Sequence, residues 1–107
     1  MTSEKEKSNN IKYQITPTSH FNFDSTKKQW NLEIHLPGVD KSKVKFRVLP
    51  KYFDLEAIRD EARYSLSGHF PWEVDVESVK GDYEEGLLYM TGKVKNLMDD
   101  AYKIELS

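Results

Sequence analysis

The chain of 107 residues has no cysteine, only five glycines and four prolines, and no long apolar run. Without cysteine there is no disulfide framework, no thiolate metal site and no cysteine nucleophile. The apolar stretches fall far short of the ~18–20 residues of a membrane span, and the first thirty residues hold no run of signal-peptide length. We therefore expect a soluble protein of the cytoplasm with no membrane partner.

An excess of positive charge is also missing, since 16 Lys and Arg stand against 18 Asp and Glu, for a net charge of −2. Such a balance gives no basic field to attract phosphate backbones, so we expect no nucleic-acid partner. Six Tyr, five Phe and two Trp argue against a disordered chain. The length fits one domain with a single compact core.

Apolar and polar residues alternate with period two from Ile11 onward, which is the pattern of a β-strand. The clearest run is Trp30, Leu32, Ile34 and Leu36, which we expect to face the core. Proline and glycine stand between such runs rather than inside them. Seven or eight short strands without a long amphipathic helix predict an all-β fold, an antiparallel, immunoglobulin-like β-sandwich.

The pattern divides the chain into three segments. Residues 1–10 have no apolar residue after Met1 and are expected to form a flexible N-terminal arm. Residues 11–96 form the sandwich, and residues 97–107 form a C-terminal tail. Residues 52–63 fit either a strand or a helix with Asp54 as its N-cap, and periodicity alone does not choose between them.

We find no residues that predict chemistry. His20, His35 and His69 lie far apart and lack metal-ligand spacing. No serine has the flanking glycines of a nucleophile elbow. Carboxylates such as Asp75 and Glu77 alternate along a strand and are expected to be solvated. We therefore expect no catalytic residue, no metal site and no cofactor, and a protein that is not an enzyme.

Two motifs are more specific. Leu36-Pro37-Gly38-Val39 places a proline and a glycine between two predicted strands, followed by a polar turn. Farther along, Phe70-Pro71 is followed by a loop and then by Gly86-Leu87-Leu88. Taken together and in this order, the two motifs resemble those of the small heat-shock protein (alpha-crystallin) family.

The resemblance implies a chaperone that holds unfolded or partly folded client proteins without ATP, through edge strands and apolar grooves. It implies a strand at 53–58 and mostly loop at 72–78, although Trp72, Val74 and Val76 alternate well enough for a strand. The implied groove, which binds clients or the tail, lies between strands at 44–49 and 87–91. Its expected residues are Val44, Phe46, Val48, Leu88 and Met90.

The sequence also departs from the family. Only Arg59, Asp60 and Glu61 remain where many members insert a strand that is exchanged in a dimer, so we expect that dimer to be impossible here. The expected assembly is a weak homodimer that pairs edges near 11–23 or near 62–70, or a tail-mediated oligomer. The short connection favours an alternative function, that of an adaptor like the CS-domain co-chaperones, which binds one folded partner.

The C-terminal tail has two interpretations. Ile104-Glu105-Leu106 resembles the motif with which family members dock into a neighbour's groove, which makes Ile104 and Leu106 the expected docking residues. Alternatively, Tyr102, Ile104 and Leu106 form a last strand of the chain's own sheet.

Overall fold

The computed structural model of the protein describes residues 11–95 and 103–106. The expected arm at 1–10 and most of the expected tail therefore lie outside the described residues. The elements, in chain order, are β1 (Tyr13–Ile15), β2 (Ser19–Asp24), β3 (Gln29–His35), a 3-10 turn (Lys41–Lys43), β4 (Val44–Leu49), β5 (Tyr52–Arg59), β6 (Ala62–His69), β7 (Val74–Glu84) and β8 (Leu87–Val94).

The strands form two four-stranded sheets, which confirms the predicted β-sandwich. Sheet A has the order β1-β6-β5-β4 and sheet B the order β2-β3-β8-β7. Every pair within the described strands is antiparallel except β1 with β6, which is parallel. Because β3 and β8 occupy the middle of sheet B, and β5 and β6 the middle of sheet A, these four strands supply most of the core.

The run from Trp30 to Leu36 faces the core as predicted. Its four apolar side chains are at most 2% exposed. Facing residues of sheet A, including Leu55 and Ala57, are completely buried. Alternation with period two thus identifies the inner faces of β3 and β5 correctly.

Residues 52–63 form a strand and a turn rather than a helix. Phe53, Leu55 and Ala57 all point inward, whereas a helix would turn the middle one away. The loop expected at 72–78 is wrong from Val74 onward, because β7 begins there and Val74 pairs with Val94. A register shift between Asp75 and Lys80 accounts for the irregular pattern of this segment.

Two tight turns join antiparallel neighbours. Asp60 and Glu61 alone connect β5 to β6, and Asp60 adopts a φ of 54°. Glu85 (φ 50°) and Gly86 (φ 84°) connect β7 to β8, as expected for the glycine predicted to form a turn. The first turn contains no inserted strand, in agreement with the short connection seen in the sequence, and the absence of the exchanged dimer stays a prediction.

The N-terminal strand closes one edge of sheet A. The amides of Lys12 and Tyr13 donate to the carbonyl of Glu61, at 2.7 and 3.1 Å. β1 then pairs with only the first three residues of β6, Ala62–Tyr64. The buried Pro17 follows, and the chain passes to sheet B as β2.

Candidate binding surfaces

The two sheets of the described structure end in four edge strands, β1 and β4 in sheet A and β2 and β7 in sheet B. An edge strand presents backbone N–H and C=O groups that can pair with another chain. These edges and the apolar side chains beside them are the candidate binding surfaces of the described structure.

The β4 edge carries the first candidate surface. Val44, Phe46 and Val48 point toward sheet B and are only partly buried against the core. The ring of Phe46 stacks on that of Phe53, with centroids 5.7 Å apart. Between these side chains, Lys45 and Arg47 are exposed. β4 therefore offers an alternating strand with three apolar side chains that the fold does not fully cover.

A shallow cavity of about 350 Å³ lies at the end of the β4–β5 hairpin. Its lining residues are Arg47, Val48, Leu49, Tyr52 and Asp54. Arg47 Nη2 and Nε donate to Asp54 Oδ2 at 2.5 and 3.2 Å, and this bond raises the pKa of the guanidinium above its ordinary value. Leu49 is 61% exposed. A cavity with an apolar wall and an ion pair can bind a side chain that has both an apolar and a polar part.

The five residues predicted to line the groove have two different environments. Val44, Phe46 and Val48 lie together on the open edge, whereas Leu88 and Met90 belong to the buried core. The sulfur of Met90 lies over Gly81 of β7, where a Cβ atom would come within 2.5 Å of it. β7, not β8, is the strand of sheet B at that edge, and its Val79 packs partly buried against the core.

The described part of the tail is exposed. Residues 103–106 belong to no strand, so they do not form the alternative last strand of the domain. Ile104 is 75% and Leu106 is 94% exposed. Tyr102, the third residue of that predicted strand, lies outside the described residues. Two aliphatic side chains at period two are thus left uncovered.

The β2 edge lies in a segment that the sequence offered as a candidate dimer edge, and it carries an aromatic cluster that periodicity did not identify. Phe21 and Phe23 stand opposite Leu32 and Trp30 in the register, so they share the inner face of sheet B. Even so, they are 42% and 38% exposed. The centroid of Trp72 lies 6.0 Å from that of Phe21 and 4.8 Å from that of Phe23.

The cause of this exposure is the short β1 strand. β1 pairs with β6 over three residues only. Beyond Tyr64, β6 therefore has no neighbouring strand on that side in the described structure, and no strand of sheet A covers the inner face of β2 there. The alternation at residues 21 and 23 indicates a strand, but nothing in a single sequence tells which strand has a neighbour across the sandwich.

The three histidines, all within the described residues, pack on aromatic rings at two separate places. His20 and His35 pack edge to face at 5.8 Å on the outer face of sheet B, and His69 packs against Tyr52 at 5.1 Å. Residues 11–95 and 103–106 contain no group of three or more His, Asp or Glu placed to hold a metal ion. The same residues contain no helix of the length and hydropathy of a membrane span.

Comparison with known proteins gives a match in structure but none in sequence. No protein-family model matches the chain, and no curated protein matches it. Heat shock protein 16.0 from Schizosaccharomyces pombe superposes with a TM-score of 0.66 at 15% identity, covering 87% of this chain and 99% of that one. A small heat-shock protein from Xylella fastidiosa reaches 0.69 at 13% identity, covering 88% and 98%. HSP18.5 from E. histolytica reaches 0.64 at 16% identity, covering 89% and 100%.

Proposed function

We propose that this sandwich, which has the fold of the small heat-shock proteins, binds partly unfolded proteins and holds them without ATP. The observation that carries the proposal is the β4 edge, where a strand with one unpaired side, three partly covered apolar side chains and a cavity occur together. An unfolding protein exposes extended apolar segments, which are complementary to such an edge.

Binding would proceed by addition of a client strand to β4. The client's backbone would pair with the unpaired groups of β4, and its alternate side chains would pack on Val44, Phe46 and Val48. One of the intervening client side chains, on the outer face of sheet A, would enter the cavity beside Leu49. Backbone bonds give affinity without regard to sequence, which suits a protein that must accept many clients.

The charges on β4 support a reversible interaction. Lys43, Lys45 and Arg47 are all exposed along the strand or just before it. Positive side chains on an edge oppose its pairing with an identical edge. The same strand can therefore accept a client and resist stacking on a second β4.

In this proposal Leu88 and Met90 support the β4 edge from the core and do not contact the client. Both lie in the core beneath the edge, and each is less than 8% exposed. A client that stays on the surface cannot reach them without opening the sandwich. We therefore assign contact to Val44, Phe46 and Val48 alone among the five.

The tail is proposed as a second ligand of the β4 edge, supplied by a neighbouring copy. Ile104 and Leu106 could each contribute about 1.5–3 kcal/mol if fully buried. Association costs about 4–15 kcal/mol in lost freedom, so one tail contact is weak. A tail-mediated oligomer would require reciprocal or multiple contacts.

Light scattering of a heated model client tests the proposal, in the absence of ATP. The wild-type chain should suppress aggregation at near-stoichiometric ratios. Leu49→Asp should raise the amount of chain needed at least threefold, because it places a charge in the cavity without touching the core. Val76→Asp is the matched control, since Val76 is an exposed apolar residue of β7. No suppression at several-fold excess would refute the chaperone function.

One observation favours the second function, an adaptor for one folded partner. β1 closes part of sheet A, and the turn at Asp60 and Glu61 carries no exchangeable strand, so the domain is complete as a single chain. An adaptor would bind one protein with a fixed stoichiometry and would not protect unrelated heated clients. The same assay therefore separates the two functions.

A further inference from the structure

We propose that the β2 edge is a self-association surface, on which two copies of the chain pair their β2 strands antiparallel to form one continuous eight-stranded sheet. The proposal does not depend on chaperone activity. It begins from a difference between β2 and the other three edges of the described structure.

Those three edges carry features that oppose pairing with the same edge of a second copy. β4 has Lys45 and Arg47, β7 has the register shift after Asp75, and β1 has only three residues. By contrast, β2 is six residues long and pairs with β3 in unbroken register. It contains no lysine, arginine or proline. Of the four edge strands of the described structure, it alone carries no such protection; the unpaired part of β6, residues 65–69, also lacks these residues but is one residue shorter.

The β2 edge is also apolar on its inner side. Phe21 and Phe23 remain 42% and 38% exposed there, with Trp72 beside both rings. Large aromatic side chains left half open on an unprotected edge are typical of an interface. The sequence of β2 indicates which molecule covers these rings.

The sequence of β2 is complementary to itself in one register. An antiparallel pair centred on Asn22 places Phe21 of each copy opposite Phe23 of the other, on the inner face. On the outer face it places His20 opposite Asp24, so an imidazole N–H can donate to a carboxylate at both ends. The two Asn22 side chains meet on the axis, where each amide can donate and accept.

Asn22 Nδ2 already donates to Asn31 Oδ1 at 3.4 Å, which leaves its second N–H and its oxygen for the axis. Asp24 Oδ1 already accepts from the amides of Thr26 and Lys27, which holds the carboxylate in place. The other carboxylate oxygen takes no part in that turn. Shifting the register by one residue would set inward rings opposite outward side chains, which the pleat forbids. Shifting it by two would lose the His20–Asp24 pairs. The occupant that fits best is therefore a second copy.

Cross-linking tests the predicted axis. The chain has no cysteine, so Asn22→Cys introduces a single thiol at the proposed twofold axis. Mild oxidation should give a disulfide-linked dimer, because opposite residues of paired strands lie within disulfide reach. Ser67→Cys is the matched control, an exposed position on the outer face of β6. The Asn22 variant should cross-link at least ten times faster.

Charge reversal tests the energetics by sedimentation equilibrium of the full chain. Asn22→Lys and Asn22→Asp should each weaken dimerisation at least tenfold, because like charges meet on the axis. An equimolar mixture should restore it, since the lysine of one copy then faces the aspartate of the other. Circular dichroism checks that each variant is folded. Restored dimerisation in the mixture would also show that both variants are folded.

Three results would overturn the proposal. Dissociation by Ser67→Lys but not by Asn22→Lys would assign the interface to the open part of β6. If deletion of residues 103–107 abolishes the dimer while Asn22→Lys leaves it intact, the interface belongs to the tail. A wild-type chain that stays monomeric at millimolar concentration would show that the β2 edge does not self-associate.

Discussion

The hydroxyl oxygen of Tyr83 lies 2.8 Å from the carbonyl oxygen of Leu36, a residue 47 positions away in the sequence. The same hydroxyl lies 2.6 Å from the carbonyl oxygen of Val39. From the other sheet, Arg59 Nη1 donates to the carbonyl of Pro37 at 2.8 Å. The turn that carries the first sequence motif is therefore held by β7 on one side and by β5 on the other.

Replacing Tyr83 with phenylalanine should destabilise the protein. The variant keeps the ring but leaves the carbonyls of Leu36 and Val39 without the hydroxyl, which we expect to cost about 1–2 kcal/mol of unfolding free energy. Urea unfolding followed by fluorescence measures the loss. Tyr89→Phe, at an exposed tyrosine, is the control and should change stability by less than about 0.5 kcal/mol. Equal losses in both variants would contradict the role of the hydroxyl.

Tyr83 should also affect stability at high pH. Burial raises the pKa of its phenol above the ordinary value of 10.0, and the nearby Asp40 acts in the same direction. The folded state therefore holds the proton more tightly than the unfolded state, so its contribution is complete below about pH 10 and is lost as the pH rises through the folded-state pKa. The free energy of unfolding, measured from about pH 8 to about pH 11, should decline more steeply for the wild type than for Tyr83→Phe. Parallel profiles would refute this assignment.

Two glycines of sheet B should respond differently to alanine. A Cβ atom at Gly92 would lie 2.7 Å from Cζ2 of Trp30, whose ring is completely buried and cannot move aside. We expect Gly92→Ala to cost about 1–3 kcal/mol through overpacking. At Gly81 the Cβ atom would meet the sulfur of Met90, a flexible side chain that can shift. Thermal unfolding should place Gly81→Ala closer to wild type, and the reverse order would show that the indole is not the rigid partner.

Substitutions at two leucines of neighbouring strands should distinguish an effect on folding from an effect on client binding. Leu55 is completely buried, so Leu55→Ala should cost about 2–5 kcal/mol. Leu49 is mostly exposed beside the cavity, so Leu49→Ala should change stability by less than about 0.5 kcal/mol while weakening protection of a heated client. Paired measurements of unfolding and client aggregation check both. Unchanged protection by Leu49→Ala would argue against contact at the cavity.

The inner faces of the strands could be predicted from the sequence because burial on one side of a sheet imposes period two. Trp30, Leu32 and Ile34 follow that rule and lie in the core. The glycine turn at Gly86 was equally predictable, since a positive φ strongly favours that residue.

Strand neighbours could not be predicted in the same way. Leu88 and Met90 have the alternation of groove residues but lie in a central strand, because β7 continues past the expected loop and covers the edge. The exposure of Phe21 depends on where β1 stops, which is decided by contacts almost fifty residues away. Periodicity assigns a side chain to a face of its strand, and the position of the strand in the sheet comes from tertiary pairing.

The pairing of β3 with β8 has a consequence for synthesis of the chain. β3 lies between β2 and β8, and its seven pairs run from Gln29 with Lys93 to His35 with Leu87. The centre of sheet B therefore cannot close until the residues of β8, more than fifty positions after β3, have left the ribosome. Until then, Trp30 and Ile34 have no covering strand on one side, and the nascent chain exposes an apolar edge of its own. During its own synthesis, this protein would resemble the partly folded chains that we propose it binds.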